Sequence, residues 1–173
     1  MSIIQNLRDI ILFRAKPEDV PYDPSLTFIA IFTAWITAYV HVRLNTNFSQ
    51  PFLIVLVQIL TFANLISLFL IAANKKERIP QTLLAVFGVF SLFKVATLIF
   101  ISLRLYGAYI GLEIWKFIVM IYIVRHAMNI GKPQAFFLAL GVELSVGFVT
   151  TIFFPELMQK TVEAMQQSQT VTN

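Results

Sequence analysis

The chain has no cysteine, and charged residues make up only 13% of its 173 residues. The lack of cysteine excludes disulfides, thiolate catalysis and cysteine-ligated metals. A soluble domain carries roughly 25% charged residues, about twice the fraction found here. Hydrophobic residues reach 58% and fall in long blocks instead of recurring at amphipathic spacing. The composition indicates a polytopic membrane protein, and we attribute the formal net charge of +4 to membrane topology, not to nucleic-acid binding.

Motifs that carry catalysis are also missing. The sequence contains no H-E-x-x-H, no phosphate-binding glycine loop and no nucleophile elbow. Its two histidines, His41 and His126, fall at opposite ends of the apolar blocks, so they are not expected to share a metal. We therefore expect no catalytic residue, no metal and no cofactor, and we do not expect an enzyme.

Five apolar blocks are long enough to cross a hydrocarbon core of about 30 Å as helices. They lie at about residues 25–42, 51–73, 81–103, 106–125 and 135–154. Proline stands at or just before four of the five starts, at Pro24, Pro51, Pro80 and Pro133, where its missing N–H does least harm. The predicted fold class is all-α, a five-transmembrane-helix bundle.

The two ends of the chain are predicted to lie outside the spans. Residues 2–14 place Ile3, Leu7 and Ile10 on one helical face but are too few and too charged to span. We expect an interfacial helix lying on the membrane, with a frayed terminus as the alternative. Residues 1–24 then form a cytoplasmic segment that ends in a proline-rich turn, and residues 155–173 form an extracytoplasmic tail.

Lysine and arginine are distributed unevenly between the two predicted faces of the membrane. With the N-terminus inside, eight lie on the inner side and three on the outer side. This asymmetry predicts a cytoplasmic N-terminus and a periplasmic C-terminus, in a bacterial inner membrane. Five of the eight are expected at the inner interface beside the spans: Lys75, Lys76, Arg78, Arg125 and Lys132.

Four ionisable residues fall inside the last three spans, at one depth somewhat off the midplane: Lys94, Glu113, Lys116 and Glu143. A charged side chain at the centre of a span costs ~2.5–3.5 kcal/mol on insertion scales. We therefore expect all four to face inward and to neutralise one another. Lys94 is expected to meet Glu113 or Glu143, and Lys116 to meet the other acid. Whether this cluster is structural or functional stays open at this point.

Milder polar residues accompany the charges. Gln58 and Asn64 lie inside the second span, and Ser91 and Thr97 lie one turn from Lys94. Such residues are expected to hydrogen-bond between helices. The small residues Ala139 and Gly147 share a face with Glu143, which predicts close packing of the fifth span on that face.

Three stretches resemble small bacterial inner-membrane proteins of the YIP (Ypt/Rab-interacting protein) domain type. They are PEDVP, the RIPQTLLAVFGVFSLFK entry to the third span, and the W-x9-RHAM run from Trp115 to Met128. The resemblance extends from about Leu7 to Pro155. It implies a protein that acts through protein contacts without catalytic residues, although a bacterial chain would have no Rab partner.

Three functional hypotheses follow. The leading one is a non-enzymatic inner-membrane protein that acts by assembling with another membrane protein or with itself, as an accessory or scaffold subunit. The alternative is a small transporter or ion-conducting protein that uses the intramembrane Glu/Lys cluster, with Glu113 and Glu143 as carriers. A second alternative is a lipid-organising protein whose basic segments bind anionic headgroups. Membrane lipids are expected partners in all three cases, and nucleic acid in none.

Overall fold

The structure is a computed structural model that describes residues 2–46 and 48–155, without the side chain of Tyr106. Within this part of the chain the regular structure is entirely helical. The helices are α1 (Ile3–Ile11), α2 (Pro24–Asn45), α3 (Pro51–Ala72), α4 (Ile79–Ser102), α5 (Tyr106–Met128) and α6 (Lys132–Phe153). Short 3-10 turns at Pro17–Asp19 and Lys76–Arg78 precede α2 and α4. The helices α2 to α6 are long and apolar enough to cross a membrane, which confirms the predicted fold class.

The helix starts follow from proline and capping chemistry. Proline occupies the first or second position of α2, α3, α4 and α6, as predicted. Asp23 caps α2 by accepting hydrogen bonds from the backbone N–H groups of Ser25 and Leu26, at 2.8 and 3.3 Å. Most helices extend up to three residues beyond the predicted spans, because polar residues that end the apolar block still continue the helix. The predicted tail from residue 156 onward lies outside the described residues.

The five long helices close into a ring. Following neighbours around it, α2 packs on α3, α3 on α6, α6 on α5, α5 on α4, and α4 back on α2. One end of the ring holds the start of α2 and the predicted inner-interface lysines and arginines, and we refer to it as the basic end. The other, the opposite end, holds the ends of α2, α4 and α6 and the starts of α3 and α5. A ring of five leaves room for a central space.

Helix α1 packs on the outside of this ring against α4 and α5. A capping box between Ser2 and Gln5 starts it, so the frayed-terminus alternative is wrong for this helix. Leu7 and Ile10, two of the predicted apolar face, are 6% and 0% exposed. Gly88 of α4 makes this approach possible, because an added Cβ there would lie 2.7 Å from Cδ1 of Leu7. The apolar face of α1 therefore contacts protein.

Phe13 turns the chain after α1. Its φ of 58° lies in the left-handed region, which costs a non-glycine residue about 1–2 kcal/mol. The ring of Phe13 packs between Trp115 and Tyr122 of α5, with centroid distances of 5.1 and 5.0 Å. Aromatic pairs of this kind contribute ~0.5–1.5 kcal/mol each beyond the area that they bury, and so offset the backbone strain.

A polar clamp closes the basic end. Arg78 forms an ion pair with Glu18 at 3.1 Å and donates to the backbone carbonyl of His126 at 3.2 Å. Gln81 of α4 donates to the carbonyls of Glu18 and Val20, at 3.3 and 2.9 Å. These contacts tie the segment between α1 and α2 to α4 and to the end of α5.

Gly88→Val is expected to loosen α1, because the larger side chain takes the space of Leu7. Overpacking of this kind costs about 1–3 kcal/mol, which corresponds to about fivefold to about 150-fold more frequent opening. The chain has no native cysteine, so a single Ile10→Cys substitution reports on the opening by its rate of maleimide labelling. Gly111→Val is the matched control, because nothing lies within 4 Å of a Cβ there. Equal labelling rates in the two variants would contradict the packing described.

Candidate functional site

A carboxylate between two ammonium groups forms the centre of the candidate site. Glu113 of α5 contacts Lys116 at 2.5 Å and Lys94 of α4 at 3.7 Å. Glu113 and Lys116 are three positions apart, which brings them to the same face of one helix. The side chains of Lys94, Glu113 and Lys116 are 25%, 27% and 16% exposed. The prediction that these intramembrane charges meet inside the bundle is confirmed for these three residues.

The four charged residues also share a level. At ~1.5 Å per residue, Lys94 lies about 12 Å from the opposite end of the ring, and Glu113 about 10 Å from it. Lys116 and Glu143 each lie about 15 Å from the same end. The predicted common depth, off the midplane, therefore agrees with the helix bounds.

Glu143 departs from the predicted pairing. Within the described residues, no lysine or arginine nitrogen lies within 4.0 Å of its carboxylate, so the expected second acid–base pair is wrong. The reason is geometric: Glu113 offers one oxygen to each lysine, and both ammonium groups are taken up on the α4–α5 side of the ring. Glu143, on α6, faces the same central space without reaching them.

That central space is a cavity of about 260 Å³ that all five long helices line. Its polar lining consists of Gln58, Lys94, Lys116 and Glu143. The apolar lining comes from Ala34 and Ala38 of α2, Ile59 and Phe62 of α3, Phe87 and Phe90 of α4, and Val146 and Gly147 of α6. Small residues on α2 and α6 leave the volume open, and an added Cβ on Gly147 would meet nothing within 4 Å.

Three phenylalanines form one wall of the cavity. Phe62 packs edge-on against Phe87 and Phe90, with centroid distances of 5.9 and 5.2 Å. The ammonium of Lys116 lies 5.5 Å from the centroid of the Phe90 ring, within the range of a cation–π interaction. This aromatic wall separates the charged level from the aliphatic core nearer the basic end and supplies apolar surface to any molecule in the cavity.

Within the part of the chain that the structure describes, the milder polar residues do not form the predicted hydrogen bonds between helices. Asn64 is exposed on the outside of α3 and donates to the carbonyl of Leu60 in its own helix, at 2.9 Å. Ser91 is buried and donates to the carbonyl of Phe87, also in its own helix. The hydroxyl of Thr97 is buried without a partner in the described residues. Gln58 contributes to the cavity instead of to a bond between helices.

The small-residue face around Glu143 serves two purposes. Ala139 is 0% exposed and packs as predicted, whereas Gly147, two turns further along α6, lines the cavity. The expectation of close packing along the whole face is therefore wrong at Gly147. This face of α6 is packed against other helices at Ala139, nearer the basic end, and borders the cavity at Gly147.

One residue near the site escaped the sequence-based prediction. His41 of α2 lies within electrostatic range of Lys94 and Glu113, and its Nδ1 is buried without a hydrogen-bond partner in the described residues. A signal was present: Ala34, Ala38 and His41 recur at helical spacing on one face of α2. Two of these three residues are alanines, so the sequence alone does not show that this face turns towards the charged residues. Only the tertiary structure shows it.

The predicted inner-interface residues share the basic end, but they differ in their contacts. Lys76 and Lys132 are exposed there, and Lys75 and Arg125 are half-buried. Arg78 is engaged with Glu18 and with backbone carbonyls, so its guanidinium makes contacts within the protein.

Comparison with protein-family models, with curated proteins and with solved structures found no match for this chain. The resemblance to YIP-domain proteins therefore stays a prediction. No group of three or more His, Asp or Glu side chains in the described part of the chain is placed to hold a metal ion. What the arrangement offers chemically is a set of fixed charges of both signs around a small cavity.

Glu113→Gln is expected to destabilise the bundle, because it leaves two ammonium groups close together without their carboxylate. Removing one partner of a buried ion pair costs about 3–5 kcal/mol. Thermal unfolding of the protein in detergent is the measurement, and Glu143→Gln is the control, since that carboxylate has no ion pair in the described residues. The triple substitution of Lys94 and Lys116 to Met with Glu113 to Gln should recover stability. A Glu113→Gln variant as stable as the parent would contradict this role.

Proposed function

We propose that this is a non-enzymatic integral membrane protein that acts by assembling with another membrane protein or with a second copy of itself. In this proposal it lies in a bacterial inner membrane with its N-terminus in the cytoplasm. The observation that carries the proposal is Asn64, a polar side chain in the middle of α3 that faces away from the ring.

An amide facing hydrocarbon is costly when its hydrogen-bonding groups are unmet. Asn64 uses one N–H for the carbonyl of Leu60, which leaves its carbonyl oxygen and a second N–H without partners in the described residues. Amides at membrane depth typically bond to a neighbouring helix, for about 0.6–2 kcal/mol. The surface around Asn64 is otherwise apolar, with Leu60 51% and Leu68 60% exposed on adjacent turns. Such a surface suits a second transmembrane helix that offers one polar group.

Site-specific cross-linking in native membranes tests the proposal. A photo-reactive residue at position 64 is expected to give a discrete cross-linked species. The same residue at Leu144 of α6, which is 65% exposed on another face of the ring, serves as the control and should give none. Asn64→Leu should weaken the association about threefold to about thirtyfold, the equivalent of one interhelical hydrogen bond. Equal labelling at both positions, or recovery of the protein only as an isolated monomer, would contradict the proposal.

A second candidate function is transport or ion conduction through the charged level, and the cavity is the observation that favours it. The two acids are not equivalent as carriers. Glu113 is held by both lysines, whereas Glu143 faces the cavity without an ion pair in the described residues. If the protein conducts, Glu143→Gln should abolish flux in reconstituted vesicles while the protein stays folded. Flux that persists unchanged in this variant would rule out a carrier role for Glu143.

A further inference from the structure

Among the described residues, the charges around the cavity sum to zero. Lys94 and Lys116 are balanced by Glu113 and Glu143. Inside a bilayer the dielectric is low, so any net charge added to such a site is strongly disfavoured. A bound cation or a bound anion alone would leave the site with an uncompensated charge. A ligand without net charge would not.

The balance is nevertheless uneven in space. Lys94, Glu113 and Lys116 form one connected group with a net charge of +1 on the α4–α5 side. Glu143 supplies −1 from α6 and lies more than 4.0 Å from either ammonium, by the absence of an ion pair among the described residues. A charge in a low-dielectric interior needs a close partner of opposite sign to offset its desolvation. One side of the cavity therefore lacks an anion, and the other lacks a cation.

The volume limits what can supply both charges. At ~30 Å³ for each water, a cavity of about 260 Å³ holds roughly eight or nine water-sized groups. A molecule with about that number of non-hydrogen atoms has room for one carboxylate, one ammonium and a short carbon frame. Phe62 and Phe90 offer apolar surface to the carbon frame, and the Gln58 amide offers a hydrogen bond.

We propose that this cavity is a binding site for a small zwitterionic solute of the amino-acid or betaine class. The ligand carboxylate pairs with the Lys94 and Lys116 ammonium groups, and its cationic nitrogen approaches the Glu143 carboxylate. The aromatic wall packs against the carbon frame between the two charges. This inference does not depend on assembly of the protein, because the helices that line the cavity all belong to one chain.

Binding of radiolabelled L-proline and of radiolabelled glycine betaine to the full chain in lipid nanodiscs tests the proposal. We expect saturable binding of at least one of them, displaced by the unlabelled zwitterion. Acetate and tetramethylammonium, each carrying one of the two charges, should not displace it at the same concentration. Displacement by acetate alone or by tetramethylammonium alone would overturn the assignment to zwitterions, and the absence of saturable binding would overturn it as well.

Three variants locate the binding in the cavity. Glu143→Gln should weaken it tenfold or more, because the cationic nitrogen loses its partner. Gly147→Leu should abolish it by filling the open volume, whereas Gly141→Leu should not change it. Gly141 lies on the same helix outside the cavity lining, and nothing lies within 4 Å of a Cβ at either glycine.

Gel filtration of each variant separates loss of binding from loss of fold. Glu143→Gln is expected to elute like the parent, since its carboxylate makes no ion pair in the described residues. If it does not fold, the proposal fails, because an acid that the fold requires is not available to a ligand. Unchanged binding in Gly147→Leu would also overturn the proposal by placing the ligand elsewhere.

Discussion

The cost of an unpaired charge in hydrocarbon is the constraint on which this structure depends. Lys94, Glu113 and Lys116 can occupy mid-span positions only because α4 and α5 lie side by side at one register. A shift of one helical turn, about 5.4 Å, would separate the carboxylate from Lys94. Buried ion pairs add little net stability, but they penalise every arrangement that breaks them. The cluster therefore specifies the register of α4 against α5 more than it adds to the stability of the fold.

Helix α4 contacts α1, the cavity and the segment before α2, and so connects these parts of the molecule. It is the most buried of the five long helices, since α1 covers its outer surface while its inner surface faces the ring. Gly88 admits Leu7 on one side, and Phe87 borders the cavity on the other. Arg78 and Gln81 anchor the start of α4 to the segment before α2. The charged level, the cavity and the external helix are thus parts of one packed unit.

Asn64 and Glu143 keep hydrogen-bonding or ionic capacity that the described residues do not meet, and they face opposite ways. Asn64 points outward from α3, and Glu143 points into the cavity. We propose that the outward amide hydrogen-bonds to a neighbouring helix and that the inward carboxylate pairs with a solute. The two proposals made for them are independent and describe different surfaces of the same protein.

The sequence by itself determined the number of spans, their proline starts and the common depth of the four charges, because each depends on local composition and on a fixed rise per residue. Only the tertiary structure decided that Glu113 takes both lysines, that Glu143 is left at a cavity, and that Asn64 faces outward. It also decided that Arg78 is used within the protein and that His41 lies near the site. Those outcomes depend on the order of helices around the ring and on their rotation about their own axes. Apolar residues on every side of a span leave that rotation undetermined until the helices pack.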